Sequence, residues 1–212
     1  MPASGSGLSL GGNEFAMPVR SMVERRYSTV IHQRYDFSCG SAALATLLHY
    51  HYGDPQTEQS IFLGMWRDGD QSQIRRLGFS LLDMKRYLNA RGLAADGYQV
   101  NLAQIQSAGI PGIALINMNG YRHFVVIKGI ENGQVLVGDP SLGIRLIGVR
   151  EFQKMWNGVI FVVNGNAERA KTSFGRDSEW ALVARARADL MMEPVSLQAL
   201  SLTRAQPFPL EL

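Results

Sequence analysis

Gln33, Cys39, His123 and Asp139 stand in that order along a chain of 212 residues, and together they carry the parts of one reaction. Cys39 is the sole cysteine; with Gly40 it opens an apolar run that predicts a helix over 39–52, stopped by Gly53. A thiol attacks a carbonyl carbon as the thiolate, and a helix start favours an anion through unpaired N–H groups and the macrodipole. A nearby imidazole completes the activation by forming a thiolate–imidazolium pair. His123 opens an apolar strand pattern far away in sequence, as is usual for partners that meet only in the fold. Such a histidine must be held in one tautomer and one orientation, which a carboxylate achieves. Asp139 closes the next strand pattern, where a hairpin returns the chain beside His123. The tetrahedral intermediate then needs donors, for which the N–H of Cys39 and the side-chain amide of Gln33 are the candidates.

Each of these residues has a plainer reading when taken alone. A lone cysteine in a helix is usually a small core residue, and Gly-Asp-Pro between strands is usually a turn. The ordered combination of all four is what outweighs those readings. The other histidines compete poorly. His49 and His51 lie late in the helix that Cys39 opens and, two residues apart, share no helix face. His32 points away from Gln33 if that segment is extended.

The elements that must position these groups are helices first and strands after. Further helices are predicted over Thr57–Trp66 and over Leu81–Arg91, the latter opened by a Ser80/Asp83 capping box. GIPGIALINM, HFVVIKGIE, GQVLVGDP and GIRLIGV then read as an antiparallel meander, with Asn132-Gly133 as a hairpin turn. A short helix over Glu151–Trp156 and a last strand over Val159–Val163 follow. This order argues an α+β class, with N-terminal helices packed on an antiparallel β-sheet. Residues 1–27, rich in Gly, Ser and Pro, read as a flexible arm, 28–165 as the domain, and 166–212 as a C-terminal extension. The extension carries one amphipathic helix over Trp180–Met192 and a Pro-rich end.

Composition narrows the function classes. A single cysteine excludes an internal disulfide and a multi-thiolate zinc or iron–sulfur site. The net charge of +3 is spread along the chain without a basic block interleaved with aromatics, which argues against a nucleic-acid partner. No apolar run approaches the roughly 20 residues of a membrane span. The start, MPASGSGLSLGGNEFAMP, lacks a basic n-region and an apolar h-region. The chain is therefore read as cytoplasmic, or as a mature form whose leader is gone.

HQRYDFSCGSAALATLLHYHYG, GFSLLDMKRYLNARGL and GYRHFVVIKGIENGQVLVGDPSLGIRLIGVREFQKMWNGVIFVV resemble the bacteriocin-processing, double-glycine leader peptidases. The resemblance runs from about Ser28 to Asn164. It implies a papain-like fold, no cofactor, and cleavage of a peptide or protein substrate after a Gly-Gly pair. By motif it implies Cys39 as nucleophile, His123 as base, Asp139 as the orienting acid and Gln33 in the oxyanion hole. Many family members carry Asp directly before Cys-Gly, where this chain has Ser38. The chain looks like the stand-alone branch, similar to the peptidases that accompany functional-amyloid secretion systems. That similarity implies a periplasmic setting, an exported amyloid or leader-bearing substrate, and a secretion-system partner. Two other readings share the same residues: a papain-like module that binds a leader without cutting it, and an acyl or amide transferase.

Overall fold

The computed structural model describes residues 22–191 apart from Asn119 and Asn166, with side chains from 24 to 185. Most of the expected N-terminal arm and the Pro-rich end lie outside the described residues. The described part of the arm, Met22–Arg26, forms a short helix, α1.

The chain then runs through a short irregular segment into α2 (Cys39–Leu47), all of whose residues are buried. Alanines at 42, 43 and 45 keep this helix thin. Gly40 lies at a close approach: a Cβ there would stand 3.0 Å from Met84 Cε and 3.1 Å from Phe79 Cβ. The helix continues as a π-helical turn, Leu48–Tyr52, and ends at Gly53 in the left-handed conformation (φ 69°), as the sequence predicts. Then come α3 (Glu58–Asp68), α4 (Gln71–Leu77) and α5 (Leu81–Ala90). The Ser80/Asp83 capping box that opens α5 is formed, and Thr57 with Ser60 forms another at α3.

The strands are β1 (Ala95–Gln99), β2 (Gly112–Met118), β3 (Tyr121–Glu131), β4 (Gln134–Asp139), β5 (Gly143–Gly148) and β6 (Trp156–Val163). They form one antiparallel sheet in the order β1-β6-β2-β3-β4-β5. The meander β2 to β5 is as expected from sequence. The last strand, expected over Val159–Val163, is β6, which returns beside β2; its outer neighbour β1 is an addition. Between strands lie α6 (Leu102–Ala108) and α7 (Val149–Met155). The expected α+β class holds.

Side chains alternate across β3, so its two faces feed two cores. Phe124 and Val126 pack with Leu44, Leu48 and Met84 of the N-terminal helices. Val125 and Ile127 pack with Ile105 of α6 and Phe152 of α7. Two further helices, α8 (Ala167–Thr172) and α9 (Asp177–Met191), lie in the segment read from sequence as an extension. The described part of that segment folds back: Val183 joins Val30, Leu136 and Ile144 in a third cluster. Glu179 reaches Lys128 of β3 at 2.9 Å, both side chains being buried.

Candidate active site

Two local features bring His123 and Asp139 together. The first is the turn. Asn132 (φ 49°) and Gly133 (φ 71°) are both left-handed, the pairing a tight hairpin needs, and they join β3 to β4. The second is a β-bulge. Ile127 pairs with Val137 and Gly129 with Leu136, which leaves Lys128 as an extra residue in β3. Beyond it Val126 pairs with Gly138, so Asp139 comes level with the early part of β3 that carries His123.

The outcome is a 2.8 Å hydrogen bond from His123 Nε2–H to Asp139 Oδ1, with both side chains buried. Asp139 Oδ1 also accepts the backbone N–H groups of Ser141 (2.9 Å) and Leu142 (3.2 Å). Its Oδ2 lies 3.5 Å from Arg145 Nε. Burial alone would raise the pKa of this carboxyl, but its bond to His123, that residue's charge, the Ser141 N–H and Arg145 together hold it below the usual 3.8.

His123 is shifted the other way. Burial disfavours its charge, yet the bond to Asp139, the interaction with Cys39 and the negative charge of both raise its pKa from 6.5 to about 9. With Nε2 committed to Asp139, the nitrogen left for the thiol is Nδ1, which is buried and makes no hydrogen bond.

Cys39 is the first residue of α2 and is buried. Its N–H has no acceptor within the helix. Ser38 turns its hydroxyl back on Tyr35, accepting its N–H and donating to its carbonyl. It makes no side-chain cap on α2, and the first turn holds no acidic residue. Nothing on the helix itself therefore competes with an anion at this end.

Gln33 lies beside the turn that follows Asp139. Its N–H donates to Pro140 O at 3.0 Å and its Nε2 to Tyr35 O at 3.1 Å, and its Oε1 accepts from Ser141 Oγ at 2.8 Å. The remaining histidines are engaged elsewhere. His32 packs edge-on against Tyr27, and His49 is exposed. His51 is buried with Nδ1 2.7 Å from Ser173 Oγ, and burial, Lys128 and Arg176 hold its pKa well below 6.5. Among the described residues no group of three or more His, Cys, Asp or Glu is placed to hold a metal.

This arrangement sets a thiol at a helix start beside an imidazole held by a carboxylate, a pairing that can generate a thiolate–imidazolium. Residues 27–168 match the Peptidase C39 family. The chain belongs to that family. As a member it is a cysteine peptidase. It is 44% identical over 155 residues to a protein of Pseudomonas aeruginosa named as a probable functional amyloid protease, FapD, covering 73% of this chain and 69% of that one. The Pseudomonas fluorescens protein of the same name is 41% identical over the same shares. A double glycine motif protease from an AMS/PCAT transporter, solved with its leader peptide, superposes with a TM-score of 0.53 at 27% identity. That match covers 63% of this chain and 89% of the other. The peptidase domain of Streptococcus ComA superposes at 0.55 over 64% of this chain and 96% of that domain. At 18% identity the latter shows the shared fold alone.

Three neighbours of this candidate site escaped the sequence reading. Tyr121, two residues before His123, stacks on its ring with centroids 5.8 Å apart and donates its hydroxyl to Asp36 O at 3.1 Å. The i, i+2 spacing on a strand was a signal for it. Ser141 follows Asp139 by two residues, the spacing of an Asx turn, whereas Arg145 reaches the site only through the fold.

Proposed function

We propose that this peptidase cleaves after a Gly-Gly pair in an exported protein or its leader, with Cys39 as nucleophile and His123 as base. Asp139 orients the histidine, and Gln33 with the Cys39 N–H receives the oxyanion. The observation that carries the reading is the 2.8 Å His123–Asp139 bond, which leaves Nδ1 for the thiol of the helix-start cysteine. His123 Nδ1 takes the thiol proton, and the thiolate adds to the scissile carbonyl. The protonated imidazole gives that proton to the leaving amine, and a thioester remains on Cys39. Water, deprotonated by His123, then adds to the thioester and releases the acid and the free thiol. The likeness to a double-glycine protease supports the cleavage site, and the FapD relatives support an exported amyloid-type substrate. A place on the export route, in the periplasm beside a secretion-system partner, follows from that substrate. No helix among the described residues is long and apolar enough to cross a membrane.

The test is a peptide series with apolar residues upstream and Gly, Ala or Val before the scissile bond, followed by mass spectrometry with Cys39→Ala as the blank. A Cβ beside a narrow channel displaces the carbonyl, and misplacement by about 1 Å costs roughly 100-fold in rate. Cleavage of the Gly peptide and failure of the Val peptide are expected. Equal cleavage of all three removes the double-glycine assignment, and equal cleavage by Cys39→Ala removes the thiol mechanism.

A further inference from the structure

We propose that Ser141 is a positioning residue that anchors the Gln33 amide in the orientation Tyr35 O selects and strengthens its donor end; the inference rests on the oxyanion role proposed above. A glutamine amide has a donor end and an acceptor end of nearly the same shape, and only its neighbours decide between them. Tyr35 O can only accept, and it lies 3.1 Å from Gln33 Nε2. Ser141 Oγ lies 2.8 Å from Oε1 and donates to it. Turning the amide over would set Oε1 against Tyr35 O, two acceptors with no proton between them. In the observed orientation Nε2 keeps a second N–H for the oxyanion, and a donor on Oε1 polarises the amide so that this N–H is stronger.

Ser141 is well placed to hold this setting. Its N–H donates to Asp139 Oδ1 at 2.9 Å, and its carbonyl accepts from the Tyr27 hydroxyl. The neighbouring Pro140 carbonyl accepts the Gln33 N–H at 3.0 Å. One turn thus ties the carboxylate behind His123 to the amide in front of the carbonyl. The two ties are separable, because Asp139 is held by the backbone of Ser141 and Gln33 by its side chain.

That separation sets the experiment. Loss of an oxyanion donor costs about 10²–10³ in kcat, and loss of its orientation alone is expected to cost about tenfold. Ser141→Ala should lower kcat by that factor with KM little changed. The pH dependence of Cys39 alkylation should stay as in the wild type, because the Asp139–His123 pair is untouched. Ser141→Thr, which keeps the hydroxyl, should restore the rate. In a Gln33→Ala background Ser141→Ala should have no further effect, since the residue it orients is gone. A wild-type kcat in Ser141→Ala, an equal loss in both backgrounds, or a shifted alkylation profile overturns the proposal. If Gln33→Ala is slow while Ser141→Ala is normal, only the Ser141 role falls. If Gln33→Ala itself turns over normally while Cys39→Ala is dead, the oxyanion reading falls and takes the Ser141 role with it.

Discussion

Lys128 decides on which face of the sheet Asp139 stands. It is the extra residue of β3, unpaired between Ile127↔Val137 and Gly129↔Leu136. Continued from Glu131↔Gln134 without a bulge, the ladder would set Asp139 opposite Val126. With the bulge Val126 meets Gly138, and Asp139 falls level with Val125. Residues opposite one another share a face, and Val125 and His123 lie on the same one. The C-terminal segment holds the bulge at two points. Gly175 N–H donates to the Lys128 carbonyl at 2.7 Å, and Glu179 lies 2.9 Å from Lys128 Nζ.

The first expectation concerns that pair. Lys128 and Glu179 are buried, and Lys128 Nζ also donates to Thr29 O at 2.9 Å. Glu179→Ala would leave a buried ammonium without its counter-charge, a change that typically costs about 3–5 kcal/mol. Replacing both groups, as Lys128→Met with Glu179→Leu, should cost far less. Urea unfolding of the two variants measures the difference. Equal stability of Glu179→Ala and wild type would show that the C-terminal helix does not support the bulge.

A second expectation follows from Gly40. In Gly40→Ala the added methyl would stand 3.0 Å from the flexible end of Met84 and 3.1 Å from Phe79 Cβ, which has less freedom to move. Overpacking of this kind costs about 1–3 kcal/mol. Because the strain falls next to Cys39, activity should drop by more than the small loss of folded protein explains. Activity per folded molecule, with the folded fraction taken from thermal melting, checks this. Full specific activity would show that the helix start tolerates displacement.

Tyr121 offers a third. Its ring lies 26° from parallel with that of His123, and its hydroxyl ties β3 to the loop before Cys39. Tyr121→Phe keeps the stack and loses a half-exposed hydrogen bond, so stability should change by less than about 1 kcal/mol. Tyr121→Ala frees the imidazole on that side. A ring displaced by about 1 Å loses roughly 100-fold in rate, so kcat should fall toward that figure while KM holds. Matching kcat values for Phe, Ala and wild type would show that Asp139 alone orients His123.

Much of this site was legible because its signals are local. Cys39-Gly40 opens an apolar run, Asn132-Gly133 is a hairpin turn, and Asp139-Pro140 ends a strand. The bulge was not legible, since HFVVIKGIE reads as one unbroken strand. The lysine in the middle of that apolar run was the only trace. Strand β1 is ADGYQ, poor in β-branched residues, and gains its place by pairing with β6. Helix α6 is only seven residues long, but the Asn101/Gln104 capping box before it and Gly109 after it did mark its ends. Glu179 lies just before the helix expected from Trp180, and the fold puts it in the first turn of α9 and buries it. The Ser141–Gln33 bond and the approach of Arg145 to Asp139 are contacts that no sequence period encodes.

The last expectation is a pH profile. The folded pKa of His123 is raised from 6.5 to about 9, against burial, by the bond to Asp139 and the interaction with Cys39. The imidazolium therefore persists through neutral pH, and kcat/KM should fall on the alkaline side with an apparent pKa near 9, a property of the coupled pair. In Asp139→Asn the amide still accepts Nε2–H, so the ring keeps its orientation and loses its counter-charge. The alkaline limb should then move down toward 6.5. The sign for stability is the same. A group whose pKa is raised on folding stabilises the native state fully below its unfolded value and loses that contribution as pH rises through the folded one. The stability difference between wild type and His123→Gln should therefore shrink between 6.5 and about 9. Asp139, whose pKa is lowered, contributes above its ordinary 3.8, and that contribution is lost as pH falls through the folded value. An alkaline limb that stays near 9 in Asp139→Asn would show that the thiol, rather than the carboxylate, sustains the charge on His123.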